Sequence, residues 1–412
     1  MIDRFTPSAP QLLRNPYPTY AQYRDQDPVH WGNASMATLP GSWYLFRYEE
    51  NAAVLSDSAT FVNDAATVGM DIEPPDAFKP IRHIHQRWLG GIDPPDHRRL
   101  RSIMAKAFTP RRVEALGVRI LDITTTLVDD ALATGESSID LWRQVAFPMP
   151  MNVIGDALGV RREEWSVFQR WAQDISDAVD RAGDVEAGKR GAEAILGMYG
   201  YFEDLIKERR KHPVDDLFNA MVTAADDDGA AMTEFDAIAI ATELGVAGHE
   251  TTTNSICLAM VGLLTQDGGW AEAQRTLAQA PDPVLEELLR YTTPVQRQRW
   301  RWAVRDADLA GRAIKRGDSV VSLLGAANRD PSVFADPDVI DFERPRTRHL
   351  TFGLGTHFCL GNHLAKLELE TALRVLSGRL PKMELAVAVD ELPWNHNFLM
   401  PGPAALPVVV AA

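Results

Sequence analysis

Apolar positions recur at helical spacing through most of the chain's interior and alternate with polar ones near its two ends. "ILDITTTLVDDALA", Ile120 to Ala133, sets Ile120, Ile123, Leu127 and Leu132 near one face of a predicted helix. A second helical tract runs from Val185 to Arg210, with Pro213 just beyond it as a stop. "SWYLFRYEE", Ser42 to Glu50, alternates and follows a Pro40–Gly41 turn, so it reads as a strand. "VLEELLRY" after Pro283 is a short helix, and turn-punctuated extended chain follows from Pro294 to about Leu350. Leu360, Leu364, Leu367 and Leu373 then mark a buried helix starting near Cys359. Short strands and turns close the chain.

The longest predicted helix runs from Thr233 to Leu264, with Thr233 as N-cap and Asp236 three residues on as in a capping box. At ~1.5 Å per residue its span is roughly 45 Å. Apolar residues lie all round it, which suits a helix through the middle of a globule. "AGHETTTN", Ala247 to Asn254, interrupts that run with a glycine, a carboxylate and three threonines, of which the glycine and the threonines are weaker helix formers.

The expected architecture is mainly α with a minor β region, in one domain over 1–412. Its β-rich portion comes from roughly 1–80, 295–325 and 383–412, and its helical portion from 96–290 and 359–380. No repeat and no Gly/Ser-rich linker divides the chain.

At 412 residues and 45% hydrophobic content the chain can bury a large core. A formal charge of −15 argues against a broad nucleic-acid surface. Cys257 and Cys359 are the only cysteines, too few for a disulfide framework or a four-thiolate metal site. "MIDRFTPSAPQLL" lacks the apolar stretch of a signal peptide, and no window is apolar enough for a membrane span. The expectation is a soluble cytoplasmic protein.

Cys359 stands in "TFGLGTHFCLGNHLAKLE", at the start of a helix whose free N–H groups and dipole stabilise a thiolate. Gly353, Gly355 and Gly361 let the backbone turn tightly there, and Phe352 and Phe358 wall the sulfur from water. The plainer reading is a buried structural cysteine beside a glycine turn.

"FGLGTHFCLG", Phe352 to Gly361, resembles the haem loop of the cytochrome P-450 superfamily, F-G-x-G-x-(H/R)-x-C-x-G, at every fixed position. The resemblance covers nearly the whole chain and implies that family's fold, with the long central helix over haem b. It makes Cys359 the axial ligand of the haem iron, a thiolate that favours O–O cleavage. Glu287 and Arg290 in "EELLR", with Arg344 in "DFERP", match the family's structural lock. "DPPDHRRLR" resembles the helix across the haem edge, so His97 and Arg101, on one face at i,i+4, are implied donors to the haem carboxylates. Arg301 and His357 match the other two donors.

"AGHET" resembles the family's (A/G)-G-x-(D/E)-T. Gly248 then leaves room for dioxygen, Thr251 leans its hydroxyl to a helix carbonyl, and Glu250 brings in protons. Thr252 and Thr253 read as packing residues, and His249 as a hydrogen-bonded core histidine.

The resemblance implies a monooxygenase: an O2- and NAD(P)H-dependent hydroxylation of a small organic substrate. With only about 50 residues after the haem loop, electrons are expected from a separate ferredoxin and NAD(P)H-ferredoxin reductase. Arg111, Arg112, the Arg344–His349 stretch and Lys366 form a candidate docking face. Pocket walls are expected from "PVQRQRW", from Glu243 to Ala247 and from "WNHNFLM", with Ala247, Val295, Arg297 and Phe398 as candidate substrate contacts. Arg297 or Arg299 would meet a carboxylate or other polar group on the substrate, or both would point to haem carboxylates or solvent. Oxidative C–C or C–O coupling, and a non-catalytic haem-binding protein, are the alternatives. A cysteine hydrolase using His357 or His363 leaves the lock and the cationic cluster unexplained.

Overall fold

Helices form where a cap and an apolar stripe coincide. The computed structural model describes residues 2–34, 39–70, 73–74, 76–180, 184–225 and 229–410; the two ends of the expected domain lie outside these. Its principal helices are α1 (Tyr17–Gln26), α2 (Tyr48–Ser56), α3 (Asp96–Ala107), α4 (Gly117–Ala133), α5 (Pro148–Ala157), α6 (Trp165–Asp180) and α7 (Val185–Lys211). They continue with α8 (Glu234–Ala247), α9 (Glu250–Thr265), α10 (Pro281–Thr292) and α11 (Asn362–Arg379). The α7 cap is Asp184, whose carboxylate accepts from the N–H groups of Glu186 and Ala187. Thr233 caps α8 through the N–H of Asp236, as its position in the sequence suggests.

One large apolar core joins α3 through α11. Ile120, Ile123 and Val128 of α4 are buried in it, as are Ile240, Ile256 and Met260 of α8 and α9. Arg87, just before α3, donates to Asp236 of α8 at 2.7 Å and ties the segment preceding α3 to the central helix.

The strands are β1 (Val29–Gly32), β2 (Ser42–Leu45), β3 (Phe61–Val62), β4 (Ser138–Asp140), β5 (Arg301–Ala303), β6 (Ala307–Leu309), β7 (Arg312–Ile314), β8 (Ser319–Ser322), β9 (Met383–Leu385) and β10 (Pro407–Val410). A five-stranded sheet has the order β1-β2-β8-β5-β3, so chain from both ends of the sequence meets in it. Within it, β2 and β8 are parallel, with Trp43 opposite Val320, and β5 is antiparallel to β8, with Arg301 opposite Val320. A smaller aromatic core of Phe5, Tyr20, Tyr23, Tyr44, Phe46 and Phe398 covers one side.

Four expectations are corrected. The long helix is two helices, α8 and α9, parted at Gly248 and His249. "SWYLFRYEE" is a strand only over Ser42–Leu45; α2 starts at Tyr48, and α1 lies in the same stretch read as β-rich. β4 falls inside the segment read as helical, where it pairs with β10. The helix after the cysteine begins at Asn362, three residues past Cys359. The strands Ser42–Leu45 and β4 are short runs whose partners lie far away in sequence, so local periodicity carries little signal for them.

Candidate active site

The cysteine loop is shaped by two left-handed glycines. Gly353 has φ +69° and Gly355 φ +71°, and a Cβ on Gly355 would lie 2.5 Å from the Leu55 carbonyl oxygen. The Cys359 N–H closes the loop on the Phe352 carbonyl at 2.9 Å. Gly361, by contrast, has an ordinary φ of −85° and open space where a Cβ would sit. Its contribution is its N–H, which points to the Cys359 sulfur. Burial pushes the Cys359 thiol up, opposed by that N–H and by the Arg101 guanidinium. A bound metal cation is what turns so enclosed a thiol into a thiolate. Among the described residues no group of three or more His, Cys, Asp and Glu side chains could hold a metal ion. An iron held here by one sulfur would therefore take its remaining ligands from a macrocycle.

Two neutral histidines and several arginines converge beside this loop. The His97 and His357 rings lie 4.2 Å apart. His97 is buried and neither ring nitrogen has a hydrogen-bond partner. Its pKa falls to about 4, first through burial and then through Arg101. His357 falls to about 3 through burial, then His97, Arg301, Arg101 and Arg299. The amide of Asn63 donates to its Nε2 at 2.7 Å. Arg101 reaches the Phe358 carbonyl at 2.6 Å, whereas Arg301 makes only 3.4 Å contacts with the Val54 and Phe61 carbonyls. Unsatisfied buried donors and mutually repelling cations at one place fit a group that brings two carboxylates. Haem does so, and the residues present suit it.

Arg299 joins this cluster. It stands 3.5 Å from His85 Nε2; burial lowers its pKa, the Glu243 carboxylate opposes that shift, and its charge helps to lower the pKa of His357. Its position two residues before Arg301, hence on the same side of extended chain, was a usable signal. Arg297 goes elsewhere: its guanidinium lies 5.2 Å from both the Trp300 and Phe398 rings, in the aromatic core. Glu243 accepts from the N–H groups of Leu89 at 2.5 Å and Gly90 at 2.9 Å and so holds the turn before α3 on α8. Val295 packs with Leu55, Leu324 and Leu350. Ala247, at the end of α8, is exposed.

At the helix break the Gly248 N–H reaches the Leu244 carbonyl at 3.0 Å, and a Cβ on Gly248 would meet that same oxygen at 3.0 Å. Thr251 Oγ1 donates to the Ala247 carbonyl at 2.9 Å, bending its hydroxyl back over the break. Asn397 Nδ2 donates to Glu250 Oε1 at 3.2 Å. Asn397 itself is fixed, because its Oδ1 accepts from Leu399 and Met400 N–H at 2.9 and 3.1 Å. Sequence reading placed this turn near the pocket but did not single out Asn397; an asparagine followed by two apolar residues carries no distinctive pattern. Thr252 reaches Glu368 on α11 at 3.3 Å rather than merely packing, and burial raises the Glu368 carboxyl to about 8.

Behind the cysteine loop, Arg290 grips Glu287 through two bonds of 2.8 and 2.6 Å. Arg344 Nε lies 3.2 and 3.1 Å from the two oxygens of the same carboxylate. Arg290 also donates to the Asn328, Pro337 and Val339 carbonyls, so the trio ties α10 to the chain leading into the loop.

A mainly helical fold, an interrupted central helix and an enclosed thiol beside clustered histidines and arginines suit a haem-thiolate oxidoreductase. The chain belongs to the cytochrome P450 family, whose profile matches residues 85–377, and it is a monooxygenase that uses haem b. It is similar to the polyketide biosynthesis cytochrome P450 PksS of Bacillus subtilis, 34% identical over 98% of each chain. It is also similar to the monooxygenase PikC of Streptomyces venezuelae, 36% identical over 96% of this chain and 91% of that one. With the 6-deoxyerythronolide B hydroxylase of Saccharopolyspora erythraea it shares 34% identity over 95% of both. The solved structure of PksS superposes with a TM-score of 0.87 over 99% of this chain and 100% of that chain, at 32% identity.

Proposed function

We propose that this monooxygenase hydroxylates an unactivated C–H bond of a large, mainly apolar metabolite of the polyketide or macrolactone type. Electrons come from a separate ferredoxin and NAD(P)H-ferredoxin reductase in the cytoplasm. One oxygen atom of O2 enters the C–H bond, and the other leaves as water with two electrons from NAD(P)H and two protons. Bound haem, held by Cys359 and by His97, Arg101, Arg299, Arg301 and His357, supplies the oxygen and electron chemistry.

The chain's own task is to move protons and place the substrate. The single observation behind the proton route is the Thr251–Ala247 hydrogen bond at the helix break. It uses the hydroxyl's proton and leaves its oxygen to accept from water. Glu250, steadied by Asn397, exchanges protons with that water. Ala247, Val295, Arg297 and Phe398 are the proposed pocket walls, with the Arg297 guanidinium set against aromatic rings. The names of PksS and the macrolactone hydroxylase favour this substrate class.

For ferredoxin docking, much of the basic face is already matched by carboxylates. Lys366 pairs with Glu286, Arg112 with Asp215 at 3.2 Å and Arg346 with Asp282 at 2.8 Å. Arg111 and Arg348 are exposed and carry the proposed contact. Among the described residues no helix is long and apolar enough to cross a membrane.

The test is a titration of the haem-loaded protein with 6-deoxyerythronolide B and with a long-chain fatty acid, followed by turnover with a surrogate ferredoxin. A saturable Soret shift and a hydroxylated product with the macrolactone support the proposal; a response to the fatty acid alone overturns the substrate class. Thr251→Ala should cut product per NADPH about tenfold. Unchanged coupling in that variant would remove the relay.

A further inference from the structure

The face of α9 opposite Thr251 is fastened to another part of the fold. Residues Trp142–Ala146 form a π-helical turn, closed by the Phe147 N–H on the Trp142 carbonyl at 2.8 Å. α5 follows at once with "PMPM", Pro148 to Met151. In a helix the Ala146 carbonyl would take the N–H of residue 150, but that residue is proline and has none. The missing donor comes from the central helix, where Thr253 Oγ1 lies 3.1 Å from the Ala146 oxygen. The next carbonyl, that of Phe147, accepts from His249 Nε2 at 2.9 Å.

A carbonyl can only accept, so Nε2 carries the proton. The ring is neutral, its pKa lowered to about 4 by burial. The Phe147 ring meets it edge-on at 4.4 Å. His249 and Thr253 are i and i+4 and share one helix face, while Thr251 lies on another. Within α9 the Thr253 N–H donates to the His249 carbonyl at 3.0 Å, and its one hydroxyl proton is shared between that carbonyl, at 3.1 Å, and the Ala146 carbonyl. His249 is thus the residue at which the long helix breaks, and both its backbone and its ring are held.

We infer that His249 is a positioning residue for oxygen activation: with Thr253 it clamps the helix break to the carbonyls of the proline-flanked π-turn, and so fixes where Thr251 and Glu250 stand. A break in a helix leaves two ends free to slide, because the ladder no longer spans it. The clamp removes that freedom on the face opposite Thr251. This inference rests on the relay proposed above, but its test does not read turnover.

The test uses full-length haem-loaded protein and the variants His249→Phe, His249→Gln and Thr253→Val. Phenylalanine keeps the edge contact and removes the donor; glutamine keeps an N–H at similar reach. Amide hydrogen exchange is followed over residues 244–255, with the infrared stretch of bound carbon monoxide as a probe of the polar groups facing the iron. His249→Phe and Thr253→Val should each speed exchange at the break about tenfold and shift or split the carbon monoxide band, while His249→Gln stays within about twofold of the parent. Should one of the first two not fold, the other carries the same expectation. Parent-like exchange in the Phe and Val variants overturns the inference, as does a Gln variant as fast as Phe. Failure of the relay alone would appear differently, as unchanged coupling in Thr251→Ala with the exchange pattern intact.

Discussion

The side-chain amide of Asn397 donates to the carboxylate of Glu250 at 3.2 Å, so a turn near the chain's end steadies the acid at the break in the central helix. The contact spans 147 positions, and the amide cannot flip without giving up two backbone N–H groups.

Asn397→Asp should therefore be worse than Asn397→Ala. Alanine removes the Asn397 restraint on the Glu250 carboxylate and should lower product per NADPH several-fold, up to about tenfold. Aspartate adds a like charge beside it and raises the pKa of one of the two carboxyls. The pH profile of coupling should shift upward in Asn397→Asp and keep its position in Asn397→Ala. Identical profiles would refute the contact's electrostatic role.

Glu368 makes stability depend on pH in an unusual direction. Burial raises its carboxyl to about 8 from an ordinary 4.5, with Thr252 opposing. The folded state thus holds a proton that the unfolded chain has lost. Its stabilisation is complete below the unfolded value and is lost as pH rises through the folded one. The slope is at most about 1.4 kcal/mol per pH unit. Thermal melts at pH 6 and pH 9 should show a smaller drop for Glu368→Gln than for the parent. An equal drop would mean that the carboxyl does not stay protonated.

The two glycines around Cys359 predict opposite costs. Gly355→Ala sets a Cβ 2.5 Å from the Leu55 oxygen at a φ of +71°, and should destabilise by about 2–3 kcal/mol. Gly361→Ala meets open space at φ −85°, and should change stability by about 0.5 kcal/mol or less. Denaturant midpoints with haem content measured alongside would check the pair. A large loss in Gly361→Ala would show that the turn needs both glycines.

Breaking the trio behind the loop should be costly. Arg290 is 2% exposed and makes two bonds to Glu287 and three to backbone carbonyls. Glu287→Ala strands two buried guanidiniums and should cost about 3–5 kcal/mol. Arg290→Lys keeps the charge but loses the fork, and should recover only part of that. The ratio of Soret to protein absorbance should fall in step with stability. Full haem retention in a destabilised Glu287→Ala would separate the trio from the loop.

Much of the site was legible in the sequence because it lies in short, dense motifs. Glycines, a histidine and a cysteine at set spacing identified the loop, and Ala247 to Thr251 identified the polar interruption. The five-residue "EELLR" carried two members of the buried trio. Other features had no local signature. Asn397 is an ordinary turn asparagine until it meets Glu250. Arg297 and Arg299 look alike in "PVQRQRW", yet one guanidinium lies between aromatic rings and the other faces His85 and the cationic cluster.

The chain by itself set which chemistry is expected: a cysteine in a glycine-rich loop, histidines and arginines to meet two carboxylates, and an alcohol beside an acid in a helix interior. It also determined that the helix is weak at Gly248, because glycine and threonines lower propensity there. Only the tertiary structure decided that the weak point becomes a true break and is then held still. The Ala146 carbonyl, deprived of a donor by Pro150, accepts from Thr253, the Phe147 carbonyl beside it accepts from His249, and Asn397 meets Glu250 from the far end of the chain. Those bonds depend on where distant backbone groups are left unsatisfied, a property of packing that no local pattern of residues encodes.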